Sequence, residues 1–239
     1  MKIGFDKVYC ISYCRNIEKQ NNVRKLMKYL GIDFEFIYGA DFSNLEILKH
    51  TNFNFYLGWS NCKWGPNPEN EEESFKYFSH FVAASYDHYT AIIHAYESNA
   101  NSILIFEDDC QFINDIDKIY YCLNNYPKDS DIVRFGAYFM YYDFKENLNI
   151  FINPRKENVI YDGSQMYGIC NRETMKKYIE LQETEFDCCD IMFDKLEDKF
   201  NINIYGLLNP LCIDEKIINS VPSLKEKYGL LDIINNKDE

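Results

Sequence analysis

Positive charge is scarce in this chain. Its 239 residues hold 25 Lys and Arg against 38 Asp and Glu, a formal net charge of −13. That balance argues against nucleic-acid binding, which needs neutralised phosphates, and against docking on anionic membranes. An anionic ligand would need a local positive feature, either a metal ion or a few arginines. No apolar run approaches the length of a membrane span. Met1 to Lys7 has no apolar core of signal-peptide length. The expectation is a soluble, cytoplasmic protein without a transmembrane segment. Cys-x-x-Cys is absent too: the nine cysteines are scattered, odd in number, with Cys188 and Cys189 adjacent. This fits reduced thiols better than a disulfide framework or a zinc site. Histidine is rare, and none follows His94.

What is present suits one sizeable α/β domain with a real core: 46% hydrophobic residues and 26% charged. The domain is expected over 1–213, with a charged tail over 214–239. Val8-Tyr9-Cys10-Ile11-Ser12 reads as a first strand, Ile17 to Leu30 as a helix capped by Asn16 and ended by Gly31, and Asp33 to Tyr38 as a second strand. Strand, helix, strand is a βαβ opening. Asp41 to Leu48 reads as a short helix. Thr51 to Ser74, with Trp59 and Trp64, reads as a partly ordered lid or substrate loop. Phe75 to Ser98 is a long helix with Phe78, Phe81, Val82, Ser85, Tyr89, Ile92, Ile93 and Tyr96 on one stripe. His88 falls on the flank of that stripe, and His94 points away into solvent.

The stretch that organises the chain is Ser102 to Asp109, where Ile103-Leu104-Ile105-Phe106 runs into Glu107-Asp108-Asp109. A short apolar run bounded by polar residues suits a strand buried on both faces. Such strands deliver functional groups at their carboxyl ends. Side chains alternate along a strand, so Glu107 and Asp109 leave on one side and Asp108 on the other. Two acids on one side make half of a site for a hard divalent cation; a solvated acidic turn accounts for the same residues. Further strands follow at Asp131 to Phe135 and Ser164 to Cys170, with helices near Asp115 to Asn125, from Asn171 to Leu181 and from Asp187 to Phe200; Asn203 to Gly206, then Asn209 to Leu211, closes the regular part. Tyr138 to Phe144 is an aromatic strand or wall, and Lys145 to Asn158 is loops and short edge strands.

Val8 to Arg15, Arg24…Leu30-Gly31, Phe36 to Asp41, Glu107-Asp108-Asp109, Ser164 to Ile169, Cys189-Asp190-Ile191-Met192 and Pro210 occur in the order seen in glycosyltransferase family 25. The chain resembles that family, the lipopolysaccharide and collagen galactosyltransferase group, to about residue 213. The acidic motif matches in full. The family's Gly-Cys-x-x-Ser-His survives at Ala83 to His88 only as its histidine. The resemblance implies a GT-A fold, with a Rossmann-like, mostly parallel sheet flanked by helices. It also implies inverting transfer of a hexose from UDP-galactose or UDP-glucose to a glycan or glycoconjugate hydroxyl, with Mn2+ or Mg2+.

On that reading Asp109 ligates the metal, and Glu107 reaches a metal-bound water or the ribose. Asp108 orients the loop. Ser12, Arg15, Arg24, His88, Glu107, Asp108 and Gln165 form the donor-binding set. Asp190 is the base that deprotonates the acceptor, with Asp187 in reserve. An N-cap at Asp187 with Asp190 as a first-turn acid favoured by the helix dipole explains the two late acids equally well. Two rival functions stand beside this one. A nucleotidyltransferase would want a glycine-rich basic loop for a triphosphate, and Ser12 to Lys19 has no glycine. A degenerate relative would bind glycans without turnover, which the intact acidic motif argues against.

Overall fold

The computed structural model describes residues 2–39, 71–140, 150–157, 160–185 and 187–214, with side chains described outside 71–82, 137–140 and 160–162. The expected short helix at Asp41 to Leu48, the tryptophan-bearing part of the long loop and the tail beyond Asp214 lie outside these residues.

The opening is the expected βαβ unit. Strand β1 (Lys7–Tyr13) leads into helix α1 (Ile17–Leu30) and strand β2 (Glu35–Gly39). The Asn16 side chain accepts from the Lys19 amide, and Gly31 ends α1 in the left-handed region at φ 62°. Helix α2 (Glu71–Glu97) starts a full turn before the expected Phe75. Three glutamates at its N-terminus favour that start, since acids there oppose the helix dipole. Strand β3 (Ile103–Glu107) carries the apolar run, with Ile103 to Phe106 essentially inaccessible.

After it come β4 (Cys110–Phe112), α3 (Ile116–Asn124), β5 (Ile132–Met140), β6 (Phe151–Ile152) and β7 (Ile160–Ile169). Helices α4 (Arg172–Glu185) and α5 (Cys189–Phe200), then strands β8 (Ile204–Leu207) and β9 (Cys212–Asp214), complete the described chain. Tyr138 to Met140 continue β5, and β6 is the expected edge strand.

Seven strands form one sheet in the order β2-β1-β3-β7-β5-β8-β6, and β4 pairs with β9 in a separate ribbon. The pairs β1/β2, β1/β3 and β5/β8 are parallel, whereas β3/β7, β5/β7 and β6/β8 are antiparallel. The sheet is therefore mixed, which corrects the expectation of a mostly parallel one. The physical reason is β7, which inserts in reverse between β3 and β5. A buried apolar strand can pair in either direction, and its sequence does not reveal which.

Side-chain alternation divides the core into two layers. Val8, Cys10, Leu104 and Phe106 pack with α1 and α3, whereas Tyr9, Ile11, Ile103 and Ile105 pack with α2, α4 and α5. The result is an α/β architecture with helices on both faces of the sheet. None of the eight described cysteines is bridged, and most are small core residues. Among the described residues no helix is long and apolar enough to cross a membrane.

Candidate functional site

From β1 the chain moves outward to β2, then returns through α2 to β3 on the other side of β1. The carboxyl ends of β1 and β3 thus flank a reversal of strand order. In open α/β sheets ligands bind in the crevice at such a point. Ser12 and Tyr13 end β1 there, and Glu107-Asp108-Asp109 leave β3.

The three acids part company because the strand stops at Glu107. Glu107 keeps the strand's direction and meets α2, where His88 Nε2 lies 3.3 Å from its Oε1. Asp108 turns back to β1: its amide donates to the Ile11 carbonyl at 3.0 Å, and its Oδ2 accepts from Ser12 Oγ at 2.6 Å. It ties the turn down to β1. Asp109 lies 4.0 Å from Lys19 Nζ on α1. Expected to share a side with Glu107 by strand alternation, Asp109 is placed instead by the turn, where that alternation no longer applies.

The electrostatics follow from this packing. Burial, then the charges of Glu107 and Asp214, push the Asp109 carboxyl up to about 7, with Lys19 pulling the other way. Asp214 is brought there by the ribbon, where it registers with Cys110. Burial opposes charge on the fully buried His88 ring, yet Cys189 and Glu107 outweigh it and hold its pKa well above 6.5. Its Nε2 faces Glu107 Oε1 on one side, and its Nδ1 faces the Tyr167 hydroxyl, 3.0 Å away, on the other. Burial keeps the Tyr167 phenol protonated.

His88 is only 2% exposed. It supports Glu107 from below, a different position from the donor-contacting one expected of it. His94 is exposed as expected, though its Nδ1 lies 3.0 Å from the Tyr9 hydroxyl.

The late acids also separate. Helix α5 begins at Cys189 with Cys188 as its N-cap and no side-chain cap bond. Neither acid is therefore the cap that the sequence allowed, although Asp190 stands in the first turn of α5, as that reading also had it. Asp187 accepts from the Cys188 amide at 2.9 Å and pairs with Lys195 at 2.8 Å. Asp190 accepts at 2.9 Å from Arg134 on β5. Cys189, next to Asp190, interacts with His88 and Tyr167.

Gln165 lies on β7, where its carbonyl accepts from the Cys110 thiol at 3.0 Å and its buried Oε1 has no hydrogen-bond partner among the described residues. Arg15 is exposed in the turn after β1. Arg24 stacks its guanidinium 4.6 Å above the Phe36 ring on the α1 face.

Sequence reading missed Arg134, Tyr167, Lys19 and Asp214. Arg134 had a visible signal: a charge inside the otherwise apolar Ile132-Val133-Arg134-Phe135 needs a buried partner. The other three had none, since only the pairing of distant segments brings them in.

Among the described residues no three His, Cys, Asp or Glu side chains converge on one point as a complete metal cage. A hard cation bound through substrate phosphates needs only one or two carboxylates. Asp109, whose buried Oδ1 has no hydrogen-bond partner among the described residues, and its neighbour Glu107 fit that mode. Compared with known proteins, the chain matches no family model and no curated sequence.

Proposed function

We propose that this chain is a metal-dependent inverting glycosyltransferase of the GT-A fold, similar to family 25. It would move a hexose from a UDP-sugar to a hydroxyl of a glycan or glycoconjugate. The observation that carries this reading is the acidic turn at the strand-order reversal. Its Asp109 carboxyl is pushed up to about 7, by burial first and then by the charges of Glu107 and Asp214, with Lys19 pulling the other way. Such a group gains most from a divalent cation that brings a diphosphate with it.

Glu107 and Asp109 are the residues that would hold Mn2+ or Mg2+. When bound, the ion neutralises charge on the diphosphate leaving group. Ser12 and Asp108 keep the acidic turn against β1, and His88 with Tyr167 aims Glu107. Asp190 takes the proton of the acceptor hydroxyl as its oxygen bonds to the sugar C1. The bond from C1 to the diphosphate oxygen breaks, the electron pair leaves with UDP, and C1 inverts. Asp187, committed to Lys195, is the weaker candidate for that role.

Thermal unfolding across a panel of UDP-sugars, with and without Mn2+, tests the reading. Ligand at about a hundred times its Kd stabilises by about 2.7 kcal/mol. One UDP-hexose should raise Tm only when Mn2+ is present, and slow release of UDP should follow. No shift with any donor would sink the reading and favour the non-catalytic glycan-binding alternative. Asp109→Ala should abolish the metal-dependent shift, whereas Asp190→Ala should keep it and lose transfer.

A further inference from the structure

Glu107 and Asp190 are built alike. Both side chains are 31% exposed, and each is held from beneath by a buried nitrogen base, His88 at 3% and Arg134 at 4%. Arg134 reaches up from β5 on the face shared with α2, α4 and α5, its guanidinium 5.5 Å from the centre of the Phe193 ring. Its Nη2 donates to Asp190 Oδ1 at 2.9 Å and to the Gly163 carbonyl at 2.5 Å. The β5/β7 register slips between Arg134 and Gly136. Bulges of that kind re-aim a side chain and gather beside active sites.

A guanidinium stays charged in a protein. Burying a charged pair is commonly no more stable than packing apolar residues of the same volume. Stability therefore does not explain a cation under β5, whereas control of Asp190 does. The two N–H bonds of Nη2 let Arg134 hold the Gly163 carbonyl and Asp190 together, which fixes the carboxylate relative to the sheet.

We propose that Arg134 is a positioning residue for Asp190, which rests on the glycosyl-transfer reading above. It engages Oδ1 and so sets the orientation in which the carboxylate meets the acceptor hydroxyl. Arg134, being buried, does not touch substrate. It acts through Asp190, as His88 acts through Glu107.

Full-length Arg134→Lys, Arg134→Met, Asp190→Asn and the double variant Arg134→Met/Asp190→Asn test this. With a UDP-hexose and Mn2+, Arg134→Met should lose on the order of 100-fold in kcat with the donor KM within about 3-fold, since a misplaced group costs rate rather than donor binding. Arg134→Lys keeps a cation and should recover part of the loss. Unchanged kcat in Arg134→Met overturns the proposal. Equal losses in the Lys and Met variants overturn it as well, because they mark a merely structural role.

Thermal unfolding reads the pair without activity. The Tm losses of Arg134→Met and Asp190→Asn should not add in the double variant, and additive losses overturn the proposal. Should Arg134→Met fail to fold, Arg134→Lys takes its place in the cycle. If the wild-type chain turns over no UDP-hexose, the transferase reading fails, and the cycle alone judges whether Arg134 holds Asp190.

Discussion

Asp109 is largely buried, feels the charges of Glu107 and Asp214, and lies 4.0 Å from Lys19 Nζ. Its carboxyl ordinarily titrates near 3.8, and in the fold at about 7. A folded-state pKa above the unfolded one means that the native protein binds the extra proton. Stability from this group therefore falls as pH rises from about 4 to about 7 and stays low above that. A shift of this size is worth roughly 4 kcal/mol at most. Asp109→Asn removes the charge while keeping the shape. With a chelator present, it should raise Tm at pH 8 and leave it nearly unchanged at pH 4. Equal Tm values at pH 8 would mean that the carboxylate is better neutralised than its neighbours imply.

At the scale of elements, caps and breakers were legible and pairings were not. Gly31 ends α1 with φ 62°, and its amide donates to the Lys28 carbonyl while Ile32 donates to Met27. A Cβ in the left-handed region is costly, so Gly31→Ala should lose about 1 kcal/mol in urea unfolding. Asp115 caps α3 by accepting from the Lys118 amide at 2.9 Å, and Asp115→Ala should lose a similar ~1 kcal/mol. Losses under a few tenths would show that packing, rather than capping, sets these helix ends. Asn171 likewise caps α4, accepting from the Thr174 amide at 2.8 Å, as its sequence position implied. The α5 cap was misread because Asp187 precedes the helix by two residues and turns to Lys195 instead. The ribbon of β4 and β9 had no sequence signal: three-residue strands are too short to show a period.

For the whole molecule the dominant fact is a net charge of −13. Exposed ion pairs such as Lys7–Glu35 and Arg155–Asp198 offset little of it. Self-repulsion destabilises a compact state, and salt screens it over a Debye length of about 10 Å at 0.1 M. Raising NaCl from about 0.05 to about 0.5 M, where screening tightens, should therefore raise Tm. A fall in Tm would mean that specific ion pairs outweigh the net charge. The same excess of acid explains why a cation is expected at the acidic turn and why its composition argues against nucleic-acid binding.

Sequence alone determined what depends on neighbours along the chain. The opening βαβ unit, the burial of Ile103 to Phe106, the acids at the end of that strand and the caps of α1 and α4 all follow from local periodicity, turn chemistry and polarity. Only the tertiary structure decided what depends on pairing. It reversed β7 between β3 and β5, set His88 and Tyr167 beneath Glu107, carried Asp214 to Asp109, and gave Asp190 to Arg134 across 56 residues. The physical reason is that a buried strand carries no mark of its direction, and a buried charge announces that it needs a partner without naming which one.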